Sequence, residues 1–134
     1  MTAKIKQVFL YTNIVLAIFH NEAKALKKLK ELEGALFSIS HLVYVEVFAG
    51  ANTDQKAQTH KFLSRFNLVQ YDAKAQKIAT QLCRQVFLGK SRKPYDLSIA
   101  AHALSLGLPI VTNNLKDFDF PGLIVFHYEN STWS

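Results

Sequence analysis

The chain carries a single cysteine, Cys83, so it can form no internal disulfide and can furnish no zinc site built on several thiolates. A reducing, cytoplasmic setting is the expected home. Apolar runs are short, the longest being the six residues Ile14 to Phe19, far below the ~20 that a membrane-spanning helix needs. A soluble protein is expected. Lys4 and Lys6 ahead of the stretch Val8 to Phe19, with Ala23-Lys24-Ala25 beyond it, imitate a secretion signal. Thr12 and Asn13 interrupt that stretch in its middle, and cleavage would discard what reads as the first strand. The 5 glycines and 3 prolines are scattered singly and no repeat is visible, so one domain over residues 1–134 is expected. Acid is the scarcer charge: 10 Asp and Glu against 16 Lys and Arg leave a net +6, which points to a polyanionic or acidic partner.

What the chain does have is apolar substance, 49% of its 134 residues, enough to build a core. Gln7 to Tyr11 reads as a buried strand and Thr12 to His20 as a helix. A second helix, Glu22 to Glu33, gathers Ala25, Leu26, Leu29 and Leu32 on one stripe and leaves Lys24, Lys27, Lys28 and Glu31 to a basic outer face. Gly34 closes it, Ala35 to Ile39 reads as strand, and Ser40 caps a short helix through Gly50. A helix over Asp54 to Phe66 leads to a strand over Leu68 to Tyr71. Asp72 then caps a long helix to Leu88, with Ile78, Ala79, Leu82 and Val86 at helical spacing and Cys83 read as buried beside them. Beyond a basic loop, Gly89 to Lys93, come a helix over Asp96 to Leu106 ended by Gly107, and strands over Pro109 to Thr112 and Leu123 to Phe126.

Short apolar strands alternating with helices predict an α/β/α sandwich with a mostly parallel sheet of about five strands. Such sheets bind ligands beyond the carboxyl ends of their strands. Attention therefore falls on Tyr11 to Asn13, the helix of Glu46, Asp96, and Thr112 to Asp117. Singly these residues decide nothing. Glu46, the only acid between Glu33 and Asp54, reads equally as a snorkelling or core-paired carboxylate. Asp96 is by itself an ordinary first-turn acid, favoured by the helix dipole by ~0.3–1 kcal/mol. Asp117 alone is a turn residue.

In chain order they say more. Phe9-Leu10-Tyr11-Thr12-Asn13, Glu46 followed by Phe48-Ala49-Gly50-Ala51, Asp96-Leu97-Ser98-Ile99-Ala100-Ala101-His102-Ala103, and Ile110-Val111-Thr112-Asn113-Asn114 with Asp117-Phe118 together resemble the PIN-domain ribonucleases. The resemblance covers nearly the whole chain and is closest to the VapC toxins of bacterial VapBC toxin-antitoxin pairs. It implies a pocket of acids holding Mg²⁺ or Mn²⁺, a hard cation suited to oxygen ligands that lowers the pKa of a bound water and neutralises charge on the scissile phosphate. By position, Glu46 and Asp96 are the implied ligands. The fourth acidic place falls on Asn114 or Asp117, with Asp117 the charge donor, and Thr112 and Asn13 orient the carboxylates. The implied activity is endoribonuclease cleavage of structured RNA, with tRNA the expected class. The implied partners are a VapB-type antitoxin and a second copy of the chain in a homodimer.

One position departs from the family. Where it has its first aspartate, directly before Thr12-Asn13, this sequence has Tyr11. A phenol, with an ordinary pKa near ~10, is neutral at pH 7 and a poor ligand for Mg²⁺. The chain is thus expected to bind Mg²⁺ weakly and to cut RNA poorly or not at all. Asp to Tyr needs one base change, of a kind selected when a toxin gene is cloned without its antitoxin. Both a selected or engineered inactivation and a natural degenerate member fit, and the retained Glu46, Asp96, Thr112 and Asp117 favour recent loss. The alternative function is a PIN-fold module that binds RNA or antitoxin without cutting.

Other chemistries fit less well. Gly89-Lys90-Ser91 imitates the end of a phosphate-binding loop, but Arg84 replaces its first glycine and the segment ends a helix instead of opening one. The histidines His20, His41, His60, His102 and His127 lack metalloprotease spacing, and no serine-hydrolase elbow occurs. Of the basic groups, Lys24 to Lys30 reads as a solvated helix face. Lys90, Arg92 and Lys93, just before Asp96, and Lys116 beside the site are the residues expected to track an RNA backbone.

Overall fold

The computed structural model describes residues 5–85 and 93–127. Five strands, β1 (Gln7–Leu10), β2 (Leu36–Ser40), β3 (Asn67–Val69), β4 (Ile110–Thr112) and β5 (Val125–His127), form one sheet in the order β3-β2-β1-β4-β5. Every pairing is parallel. The helices are α1 (Thr12–Phe19), α2 (Ala23–Glu31), α3 (His41–Gly50), α4 (Lys56–Leu63), α5 (Ala73–Gln85) and α6 (Pro94–Leu106). This is the α/β architecture the alternation predicts. Val8, Phe9 and Leu10 are at most 1% exposed because β1 is central and covered on both faces. Ile39, Val43, Ile99, Ala100 and Ile110 complete the core around it.

The strand order places the site. The chain first builds outward from β1 through β2 to β3, then crosses to the other side of β1 with β4. The neighbouring ends of β1 and β4 are therefore the point where the winding reverses, the usual crevice for ligands in such sheets. Leu10 pairs with Val111 there, and the Tyr11 N–H donates to the Val111 carbonyl at 3.1 Å.

Several sequence expectations hold in detail. The Ser40 hydroxyl caps α3 by accepting from the Leu42 N–H at 3.1 Å, Asp72 accepts from the Ala75 N–H at 3.0 Å, and Gly107 ends α6 in the left-handed conformation (φ 66°). Others need correction. The helix expected over Asp54 to Phe66 is a 3-10 turn, Thr53–Gln55, followed by α4, and α6 starts at Pro94 rather than Asp96. Proline suits the first helical position, where its missing N–H is no loss. Strand β3 ends at Val69 rather than Tyr71, and β5 runs two residues later at its start than expected, because the neighbouring strand sets which residues pair. Cys83 is exposed, not buried: α5 meets the core through the buried Ala75 and Leu82, with Ile78 and Ala79 partly buried against it. Lys28 is buried at 5% exposure instead of sitting on a solvated face, its ammonium paired with Glu31 at 2.6 Å while its stem is covered. Val86, Lys90 and Arg92 lie outside the described residues. Among the described residues no helix is long and apolar enough to cross a membrane.

Candidate active site

Tyr11 is the residue between β1 and α1. Its backbone is extended (φ −81°, ψ 161°) and its side chain makes no cap to α1, which leaves the phenol free to reach α6. There its O–H donates to Asp96 Oδ1. The ring packs edge-on against Phe118, with centroids 4.7 Å apart, and tilts against Tyr95 at 6.1 Å. Asp96, in the first turn of α6, is 2% exposed. Burial raises its pKa, the Tyr11 hydrogen bond lowers it, the charge of Asp117 raises it, Lys93 lowers it and Glu46 raises it, with the net shift upward. Burial also pushes the Tyr11 phenol well above its ordinary value, reinforced by its bond to Asp96 and the charges of Asp96 and Glu46. Tyr11 is therefore neutral at any physiological pH.

Glu46 stands on the exposed side of α3 and meets this cluster through Tyr95. The Tyr95 hydroxyl lies 3.0 Å from Thr12 Oγ1 and 3.3 Å from the Leu42 carbonyl, which accepts from it. Burial raises the Tyr95 pKa, Thr12 opposes, and the Glu46 and Asp96 charges add to the rise. Tyr95 thus ties α1, α3 and α6 together at the point where Glu46 and Asp96 converge. Sequence reasoning missed it, and its signal was adjacency to Asp96 in Pro94-Tyr95-Asp96.

The other side of the crevice is built from the turn after β4. Asn13 Nδ2 donates to Thr112 Oγ1 at 3.3 Å and to Asn113 Oδ1. Thr112 Oγ1 also accepts from the Asn114 N–H at 3.1 Å, and Asn114 Nδ2 donates to Asp117 Oδ2 at 2.6 Å. Asn13 and Thr112 therefore act on Asp117 through the turn, not by direct bonds to a carboxylate, and Asn114 is the residue that holds it. Lys93 and Lys116 are both exposed beside this acid group.

A second residue that sequence reasoning left as ordinary fixes the same helices. His102 on α6, 1% exposed, lies between the rings of Phe9 and Tyr71 and has Nδ1 2.8 Å from Ser40 Oγ. Ser40 Oγ already accepts from Leu42, so its own proton is free to point at Nδ1, while Nε2 is buried with no hydrogen-bond partner among the described residues. Burial holds the His102 pKa below its ordinary value, opposed by Gln70 and Asp72.

A divalent cation does not fit the side chains as they stand. The buried Asp96 Oδ1 is engaged by a neutral phenol, and no three of the described His, Cys, Asp and Glu residues group closely enough to hold an ion. The acids are close enough for Asp117 and Glu46 to act on Asp96 through their charge, yet position 11 supplies a proton donor where a carboxylate would accept.

The PIN domain family matches residues 8–120. The chain belongs to that family. Among PIN-domain relatives, the tRNA(fMet)-specific endonuclease VapC of Shigella flexneri is 33% identical over 120 residues, covering 83% of this chain and 89% of that protein. Of solved structures, DNA-bound VapBC from Salmonella typhimurium superposes with a TM-score of 0.76 at 27% identity, covering 92% of this chain and 98% of that one. VapBC2 from Rickettsia felis, bound to a promoter fragment, gives 0.73 at 27% identity over 90% and 98%. PIN-domain ribonucleases generally depend on a divalent metal, which makes the phenol at position 11 the site's main anomaly.

Proposed function

We propose that this chain is the toxin of a cytoplasmic VapBC-type pair, an endoribonuclease scaffold for RNA of the tRNA class, restrained by a VapB-type antitoxin and assembled as a homodimer or with that antitoxin. The similarity to a tRNA(fMet)-specific endonuclease and to solved VapBC complexes supports the reading. In this form cleavage is lost or strongly reduced. The observation that carries this is the Tyr11 O–H donated to Asp96 Oδ1: a neutral ring takes the place of a ligand and satisfies the carboxylate that Mg²⁺ or Mn²⁺ would need. In the Tyr11→Asp protein Glu46, Asp96 and Asp117 would be the other ligand carboxylates, and Asn13, Thr112 and Asn114 hold the turn that carries Asp117. Lys93 and Lys116, with Lys90 and Arg92, guide the RNA backbone.

The same hydrogen bond favours a second reading for the chain as it stands, a PIN-fold module that binds RNA or antitoxin without cutting. A paired assay on total RNA with Mg²⁺, with chelator as control, separates the two. The Tyr11→Asp protein should cut and the parent should not. Since metal-assisted stabilisation of several kcal/mol corresponds to roughly 10²-fold or more in rate, the contrast should be large. A folded Tyr11→Asp protein that neither cuts RNA nor arrests growth overturns the toxin reading in favour of the binding module.

A further inference from the structure

Beside the acid cluster, between α1, α3 and the start of α4, lies a cleft of about 230 Å³ that no catalytic role explains. Leu16 and Phe19 form its apolar wall, Glu46 borders it on the acid side, and His20 and Gln55 reach its rim. Neither the His20 nor the Gln55 side chain has a hydrogen-bonding partner within the described structure, so both are available to a ligand. Gly50 lines it as well, and a Cβ built there meets nothing within 4 Å.

We propose that this cleft is a subsite for one unstacked nucleobase of the RNA, next to the scissile phosphate, a proposal that rests on the ribonuclease reading above. Charge decides against a phosphate: the lining holds a carboxylate and neither Lys nor Arg. A base, by contrast, is uncharged and carries amino and ring N–H groups that Glu46 and the Gln55 amide can accept. Size decides against anything larger. At about 230 Å³ the cleft is below the roughly 300–1,000 Å³ of sites for drug-sized ligands, which suits one planar ring system against Phe19. Single-stranded RNA is read in this way, by stacking a splayed base and hydrogen-bonding its edge. Glu46 is common to both places, since its charge acts on Tyr95 and Asp96 while it borders the cleft. A base seated there leaves its own phosphate over the acids.

The test fills the cleft through Gly50. Its position in α3 has no positive φ and open space at Cβ, so Gly50→Leu should fold normally. In the Tyr11→Asp background, a pool of RNA oligonucleotides of randomised sequence should be cut with a preference for one base beside the break. Adding Gly50→Leu should flatten that preference by about tenfold or more while cleavage of disfavoured sequences persists, and Gln55→Ala should shift which base is preferred. An unchanged preference, or an equal loss on every sequence, overturns the proposal. So does a Gly50→Leu protein that keeps its preference but no longer binds its antitoxin, which assigns the cleft to that partner. If the Tyr11→Asp protein cuts nothing, the ribonuclease reading fails separately, and the unmodified chain then decides with RNA carrying 2-aminopurine. A fluorescence change abolished by Gly50→Leu supports a base-binding cleft, and no change overturns it.

Discussion

At the scale of single residues, Tyr11 does two opposite things. It withdraws a carboxylate from the acid cluster, and it gives the buried Asp96 a proton donor while its own ring packs against Tyr95 and Phe118. A buried acceptor that loses its donor costs ~1–3 kcal/mol. Tyr11→Phe keeps the ring against Phe118 but removes the O–H, so it should lower unfolding stability by that amount in urea titrations at neutral pH. An unchanged midpoint would show that the phenol proton contributes nothing to Asp96. Legibility at this scale was partial. Glu46, Asp96 and Asp117 gained meaning from their order along the chain, because each alone satisfies an ordinary local rule. Tyr95 and His102 were missed for a related reason: their roles consist of contacts to residues about 50 to 80 positions away, with Leu42, Thr12 and Ser40, and spacing along a chain carries no trace of those.

At the scale of elements, the positions of Glu46 and Asp96 depend on how α3 is held against α6. Ser40 caps α3 and also bonds His102 of α6, so one hydroxyl joins the cap to the neighbouring helix. A folded state that holds His102 below its ordinary pKa of ~6.5 binds a proton less readily than the unfolded chain. The contribution is therefore complete above about pH 6.5 and is lost as pH falls below it, toward the folded-state value. Stability measured against pH should decline on that side, and His102→Gln should flatten the decline while lowering stability at about pH 8 through poorer packing. An identical slope in the variant would place the acid sensitivity elsewhere. Ser40→Ala should cost ~1 kcal/mol from the cap alone. Element identity was legible because apolar spacing and caps are local. Boundaries slipped where partners decide them, as in β3 and β5, and the α5 stripe misled for Cys83 because helical spacing names a face without saying how far the neighbouring helix covers it.

At the scale of the whole molecule, a chain with a basic excess of +6 carries a crevice whose own charge is acidic. Lys93 already acts on Asp96 through its charge, and Lys116 lies in the same turn as Asp117. An RNA backbone held by these lysines must release counterions, and each contact steepens the fall of affinity with salt by ~0.7–0.9 in the log–log slope. The Tyr11 form is well suited to the measurement, because its substrate should stay whole during a titration with tRNA over a range of KCl. Lys93→Ala and Lys116→Ala should each reduce the slope by about that amount, whereas Lys27→Ala, on α2, should leave it unchanged. Equal effects from all three would mean that the net charge attracts RNA without directing it. A loss confined to Lys93 and Lys116 would mean that the basic surface delivers the backbone to the acids, the arrangement that cleavage at this crevice requires.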